Sequence, residues 1–135
     1  MKREYNYYLF KPSGNDTALV EGEEFDSKTK EILNNKIMQI HPNIEQVGFL
    51  SIREKKLTMA GGEFCGNATR CATYYYLNGE KGNLRIDVGN DLILNAGVNE
   101  KGEVWSEMPL YDNKNFINRI DDGVYEVLLK GIKQS

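Results

Sequence analysis

Short apolar segments recur along this chain, separated by polar or glycine-rich punctuation, which is the pattern of strands joined by tight turns. Residues 47–52 (Val-Gly-Phe-Leu-Ser-Ile) and 57–59 (Leu-Thr-Met) flank the charged bend Arg53-Glu-Lys-Lys56 and predict a hairpin. Residues 84–88 and 92–94 flank Gly89-Asn-Asp91, and Val98 and Val104-Trp105 flank Asn99-Glu-Lys-Gly102, so a meander is expected there. Residues 5–10, 17–20 and 124–129 are the remaining strand candidates.

Two stretches carry helical periodicity instead. Asp26 or Ser27 caps a helix through about Met38, in which Ile32, Leu33 and Ile37 form an apolar stripe over a polar face; its role is packing. The second helix runs from about Gly66 to Leu77 and stops at Asn78-Gly79. Ala68, Cys71 and Ala72 lie on the side expected to be buried, and a helix so lean in bulk must lie close to its neighbours. The architecture these elements imply is α+β: a mostly antiparallel sheet curled around one short buried central helix, with the other helix outside.

Length and composition narrow the classes. A chain of 135 residues is one compact domain's worth, and no repeat, low-complexity stretch or linker divides it. With 40% apolar residues, 27% charged and a formal charge of −3 spread over both signs, the chain reads as an ordinary soluble domain and not as a nucleic-acid binder. No apolar stretch follows Met1-Lys-Arg-Glu4 as a signal peptide requires, and no window approaches the roughly 20 apolar residues of a membrane helix, so no membrane partner is expected. The two cysteines, Cys65 and Cys71, are then thiols in a reducing cytoplasm.

The chemistry concentrates in residues 59–72. Met59-Ala-Gly-Gly-Glu-Phe-Cys-Gly-Asn-Ala joins a strand to a helix through glycines and sets Cys65 and Gly66 at or just before the helix N-terminus. There the first N–H groups have no intrahelical partners and carry partial positive charge, so they bind a carboxylate and stabilise a thiolate beside it. An amino acid whose carboxylate sits on those groups presents its Cα to the cysteine sulfur, and the charge that develops as the α-proton leaves is stabilised by the same helix end. Gly66 permits close backbone approach, and the Asn67 side chain adds hydrogen bonds to the anion. Cys71 lies roughly 9 Å further along the helix and on another face, so it forms neither a relaxed disulfide with Cys65 nor an opposed base, and it belongs to the core. The C-x5-C spacing lacks the geometry of a C-x-x-C redox pair. The only histidine, His41, is remote in sequence and no ligand pair has metal-site spacing, so no metal is expected.

Cys65-Gly-Asn-Ala-Thr-Arg-Cys71 resembles the C-G-N-G/A-x-R-C segment around the first catalytic cysteine of the diaminopimelate epimerase family. Gly14-Asn-Asp16 resembles that family's G-N-D-F motif, whose Asn touches the substrate. Glu45-Gln46 resembles its D-Q segment, and Met108-Pro109 its step before the inter-domain crossover. The resemblance covers nearly the whole chain. It implies a diaminopimelate-epimerase-like domain, the N-terminal half of a two-domain, cofactor-independent amino-acid epimerase or racemase. In it Cys65 is one acid/base, the N–H groups of Gly66 and Asn67 hold the substrate carboxylate, and Asn15 and Gln46 orient the substrate. No pyridoxal phosphate or other cofactor is implied.

Two departures qualify the resemblance. The segment ahead of Cys65 is shorter than the family's N-A-D-G-S-E and lacks its Asn, and Thr17 stands where the family often has Phe; both features are closer to histidine-racemase-like members. In addition, inversion needs a second base on the opposite face of the Cα, and nothing in this chain can serve as one. The expected partners are thus a small amino-acid substrate and a missing C-terminal domain or second protomer. The alternative is a catalytically incomplete amino-acid or anion-binding module, or one subunit of a split enzyme.

Overall fold

The computed structural model of the chain describes residues 3–11, 16–109, 115–121 and 128–134. The elements are, in order, β1 (Arg3–Phe10), β2 (Thr17–Gly22), α1 (Ser27–Ile40), β3 (Gln46–Ser51), β4 (Leu57–Met59), α2 (Gly66–Leu77), β5 (Gly82–Asp87), β6 (Ile93–Val98), β7 (Val104–Pro109), β8 (Asn115–Asp121) and β9 (Leu128–Gln134). Both helices begin where local chemistry starts them. The Asp26 carboxylate accepts from the Thr29 N–H and caps α1, while α2 ends on Asn78 and Gly79, both with left-handed backbone (φ 57° and 74°).

The strands form two sheets, ordered β4-β3-β2-β1-β9 and β5-β6-β7-β8. The expectation of a single curled sheet is therefore corrected. Among the described residues an isolated parallel bridge, Lys56 to Asp87, joins the two, reinforced by the Asp87 N–H donating to the Lys55 carbonyl at 2.9 Å. The class is α+β with mostly antiparallel pairing, as expected, but β2 and β3 run parallel. Parallel neighbours need a crossover, and α1 supplies it. The hairpin β3–β4 and the meander β5–β6–β7 form as the turn residues predict. β8 extends that meander beyond what the sequence pattern suggested. Of the predicted strand at 124–129, residues 128 and 129 open β9, which pairs antiparallel with β1 and so belongs to the five-stranded sheet; residues 124–127 lie outside the described residues.

Alternation sends the side chains of the five-stranded sheet to two separate cores. Tyr5, Tyr7, Ala18, Val20, Val47 and Phe49 pack under Leu33 and Ile37 of α1. Phe10, Leu19, Leu50, Leu57 and Met59 face the other way, onto Ala68, Cys71 and Ala72 of α2, whose far side meets Leu84, Ile86, Leu94, Ala96, Val98 and Val104 of the second sheet. Burying each larger apolar side chain contributes about 1.5–3 kcal/mol, so this sandwich, more than helix propensity, holds α2 in place. All six residues from Ala68 to Thr73 are buried. A helix covered on so many sides holds mainly small residues, the long Arg70 aside, and polar ones whose hydrogen bonds are met within the helix. Thr69 and Thr73 do so by donating their hydroxyls to the carbonyls of Cys65 and Thr69, each at 2.8 Å.

Candidate active site at the start of the central helix

Cys65 is the N-cap of α2. Its backbone is extended (φ −136°, ψ 116°), its carbonyl accepts the first helical bond from the Thr69 N–H at 3.0 Å, and its Sγ accepts from the Ala68 N–H at 3.4 Å. A cap residue must accept from the first turn, and a sulfur in that role is aimed by the helix itself. The thiol is half-buried, whereas Cys71, one and a half turns on, is completely buried in the core. Cys65 and Cys71 are not joined in a disulfide.

The other wall comes from the parallel strand pair. Thr17 and Gln46 open β2 and β3 and stand opposite each other in register. Period two places both on the face that looks at α2, with Leu19 and Leu50 further along. The Cys65 S–H donates to Gln46 Oε1 at 2.8 Å, and Gln46 Nε2 donates to Thr17 Oγ1 at 2.8 Å. A linear chain, Cys65 to Gln46 to Thr17, therefore runs from the half-buried thiol to a fully buried hydroxyl.

The remaining predicted residues are distributed as follows. Gly66 and Asn67 are the first two residues of α2, and their N–H groups precede those of Ala68 and Thr69, which bond to Cys65. A Cβ on Gly66 would make only ordinary contacts, 3.5 Å to Arg70 Nη1 and 3.8 Å to Phe64, so neither the backbone nor internal packing demands glycine there. The Asn67 side chain does not simply face an open pocket: its Oδ1 accepts from Nη2 of Arg70. Arg70 is almost completely buried, a position that its place in a polar-looking motif did not reveal. Asn15 lies outside the described residues. The structure thus brings Cys65, Gln46, Gly66 and Asn67 to one place and adds Thr17, which the sequence offered only as a departure from a family pattern.

A groove of about 760 Å³ lies elsewhere, on the α1 face of the sheet, lined by Phe25, Lys30, Phe49, Ser51, Lys56 and Thr58 among others. Burial, and then the nearby Lys56 charge, lower the Lys30 ammonium from its ordinary value, and its Nζ stands 6.0 Å from the centre of the Phe49 ring. This groove contains no thiol among its lining residues and opens at the far end of β3 from Gln46, so it is separate from the Cys65 site. Among the described residues no three His, Cys, Asp or Glu side chains converge as metal ligands, and no helix is long and apolar enough to cross a membrane.

Residues 4–120 match the family described as histidine racemase CntK N-terminal domain. A histidine racemase of Fusobacterium nucleatum subsp. nucleatum is 42% identical over 66 residues, which are 48% of this chain and 24% of that protein. One of Staphylococcus aureus (strain Mu50) is 39% identical over 66 residues, 44% of this chain and 24% of that protein. The matched stretch thus spans about a quarter of the length of these relatives.

Proposed function

The chain belongs to the histidine racemase CntK N-terminal domain family, and from that membership we propose that it is the Cys65-bearing half of a racemase that inverts an amino-acid α-carbon by proton transfer through thiols, without a cofactor. The observation that carries this reading is the placement of Cys65: a half-buried thiol that caps α2, with the helix's first N–H groups beside it. The relatives' name, histidine racemase, makes histidine the first substrate to try, ahead of diaminopimelate.

In this mechanism the substrate carboxylate lies on the N–H groups of Gly66 and Asn67, where the helix end offers donors and positive potential to an anion. The Cα then faces Sγ. As thiolate, Cys65 removes the α-proton, and the charge that spreads onto the carboxylate is stabilised where it develops. As thiol, it returns a proton to the same face. Racemisation needs a second acid/base on the opposite face, and Cys71 is sealed in the core. A further domain or a second subunit supplies that group, so this chain alone exchanges the α-hydrogen with retention and does not racemise.

Incubation of the purified chain with L-histidine in D2O, followed by NMR of the α-position, tests the reading. Deuterium enters with the wild-type chain and not with Cys65→Ala. Equal exchange in the two proteins would remove Cys65 from the chemistry, and saturable binding without exchange would favour an amino-acid-binding module.

A further inference from the structure

Gln46 cannot serve Cys65 with the same end of its amide throughout a proton-transfer cycle. An amide carries an acceptor oxygen at one end and an NH2 donor at the other, whereas Sγ is a donor as thiol and an acceptor only as thiolate. With the thiol present, Gln46 Oε1 accepts from S–H and Nε2 donates to Thr17, each at 2.8 Å. Once the proton has left, Oε1 would face an anion. The two ends are nearly the same size, so half a turn about the last side-chain torsion relieves that repulsion at no steric cost.

Whether the turn is possible depends on the group behind the amide. Thr17 is completely buried, and a hydroxyl both donates and accepts. In the thiol state it accepts from Nε2; after the turn it rotates and donates to Oε1. A carboxylate, an ammonium or a methyl group there could satisfy at most one of the two orientations. We propose that Thr17 is a positioning residue whose hydroxyl lets the Gln46 amide turn over with each proton transfer, so that Cys65 is hydrogen-bonded as thiol and as thiolate alike. This rests on the reading of Cys65 as an acid/base. The step is a proton transfer alone: S–H gives its proton to the substrate carbanion, and N–H to S− and Thr17 O–H to Oε1 replace the two earlier hydrogen bonds. Sγ keeps its bond from the Ala68 N–H throughout. The charged residues nearest the triad in sequence are Asp16 before Thr17, Glu45 before Gln46, Glu63 in the loop before Cys65, and Arg70 on α2. All of them remain in place in the variants below.

The orientation can be read directly in the full chain by NMR. Nuclear Overhauser contacts from the Gln46 amide protons are measured across a pH series, with the Cys65 Cβ shift reporting independently whether the sulfur is thiol or thiolate. The expected contacts are to the Thr17 methyl at low pH and to the Cys65 β-protons at high pH, with the exchange following the Cβ shift. Thr17→Ser keeps the exchange, and Thr17→Val loses it. Contacts that stay on Thr17 while the Cβ shift reports the thiolate, or full exchange in Thr17→Val, would each overturn the proposal. Should Thr17→Val fail to fold, the wild-type and Thr17→Ser proteins decide. Absence of α-hydrogen exchange with the amide turnover intact would count against the racemase reading alone.

Discussion

Replacing Cys65 separates the structural work of its sulfur from its chemistry. In Cys65→Ala the Ala68 N–H loses the cap acceptor and Gln46 Oε1 loses its donor. The cap bond is long at 3.4 Å, which places its loss at the lower end of the usual range for a capping side chain, about 0.5–1 kcal/mol. Leaving the Gln46 oxygen without a partner in a half-buried site costs about 1 kcal/mol more. The expected destabilisation is therefore about 1.5–2 kcal/mol, or roughly 6–8 °C in Tm for a domain of this size. Cys65→Ser retains an acceptor for Ala68 and a donor for Gln46, and serine is a stronger cap than cysteine, so its stability should fall within about 0.5 kcal/mol of wild type. Urea unfolding followed by circular dichroism gives both numbers, and the α-hydrogen exchange assay should read zero for both variants. A Cys65→Ala protein as stable as wild type, or a serine variant less stable than the alanine one, would show that the sulfur neither caps α2 nor holds Gln46.

Three further outcomes follow from named contacts. Asn67→Ala keeps the backbone N–H proposed to hold the carboxylate but removes the Oδ1 to which Arg70 Nη2 donates, so it should lower stability by about 1.5–3 kcal/mol in urea unfolding, the usual range for a hydrogen bond to a charged group. Asn78→Ala, at the left-handed end of the same helix, should lower stability and leave carboxylate affinity unchanged; an Asn67→Ala protein as stable as wild type would remove Asn67 as the residue that holds Arg70. The Thr29 N–H, through its hydrogen bond to the carboxylate, holds the Asp26 carboxyl below its ordinary value, so the contribution of this cap is present above the unfolded-state value and disappears as pH falls through the lowered folded one. Asp26→Asn should flatten that acid limb in pH-dependent unfolding, and an unchanged limb would remove Asp26 as its source. The Tyr76 hydroxyl stands within 2.7–3.1 Å of the carbonyls of Ser51, Glu54 and Lys56 across the β3–β4 turn, with one proton to donate and the Ser51 carbonyl nearest at 2.7 Å, it accepts from the Lys56 N–H, and burial pushes its phenol up to about 12. Its contribution should be complete below the ordinary tyrosine value near 10 and lost as pH rises through 12. Tyr76→Phe should cost about 1–3 kcal/mol at neutral pH and weaken the alkaline limb, and a variant as stable as wild type would refute that role.

Local chemistry made much of the fold legible. Asp26 starts α1, Asn78 and Gly79 stop α2, the charged bend at 53–56 turns β3 into β4, and the spacing of Ala68, Cys71 and Ala72 marks a helix that must be closely packed. Each of these signals acts within a few residues, so it survives in the sequence. The division into two sheets, the parallel pairing of β2 with β3 and the strand at 115–121 do not, because each depends on which distant backbone satisfies a strand's hydrogen bonds. The candidate site divides in the same way. Cys65 at a helix start is a local fact, written in the glycines before it and the small residues after it. That Gln46 meets the thiol from 19 residues away, and Thr17 meets Gln46 from 29 residues away, is decided only when the parallel register of β2 and β3 brings both side chains onto the α2 face. The burial of Arg70 against Asn67 belongs to the same class. A charged residue in a polar motif reads as exposed until two sheets close over the helix that carries it, since burial is a property of what packs around a residue and not of the residue itself.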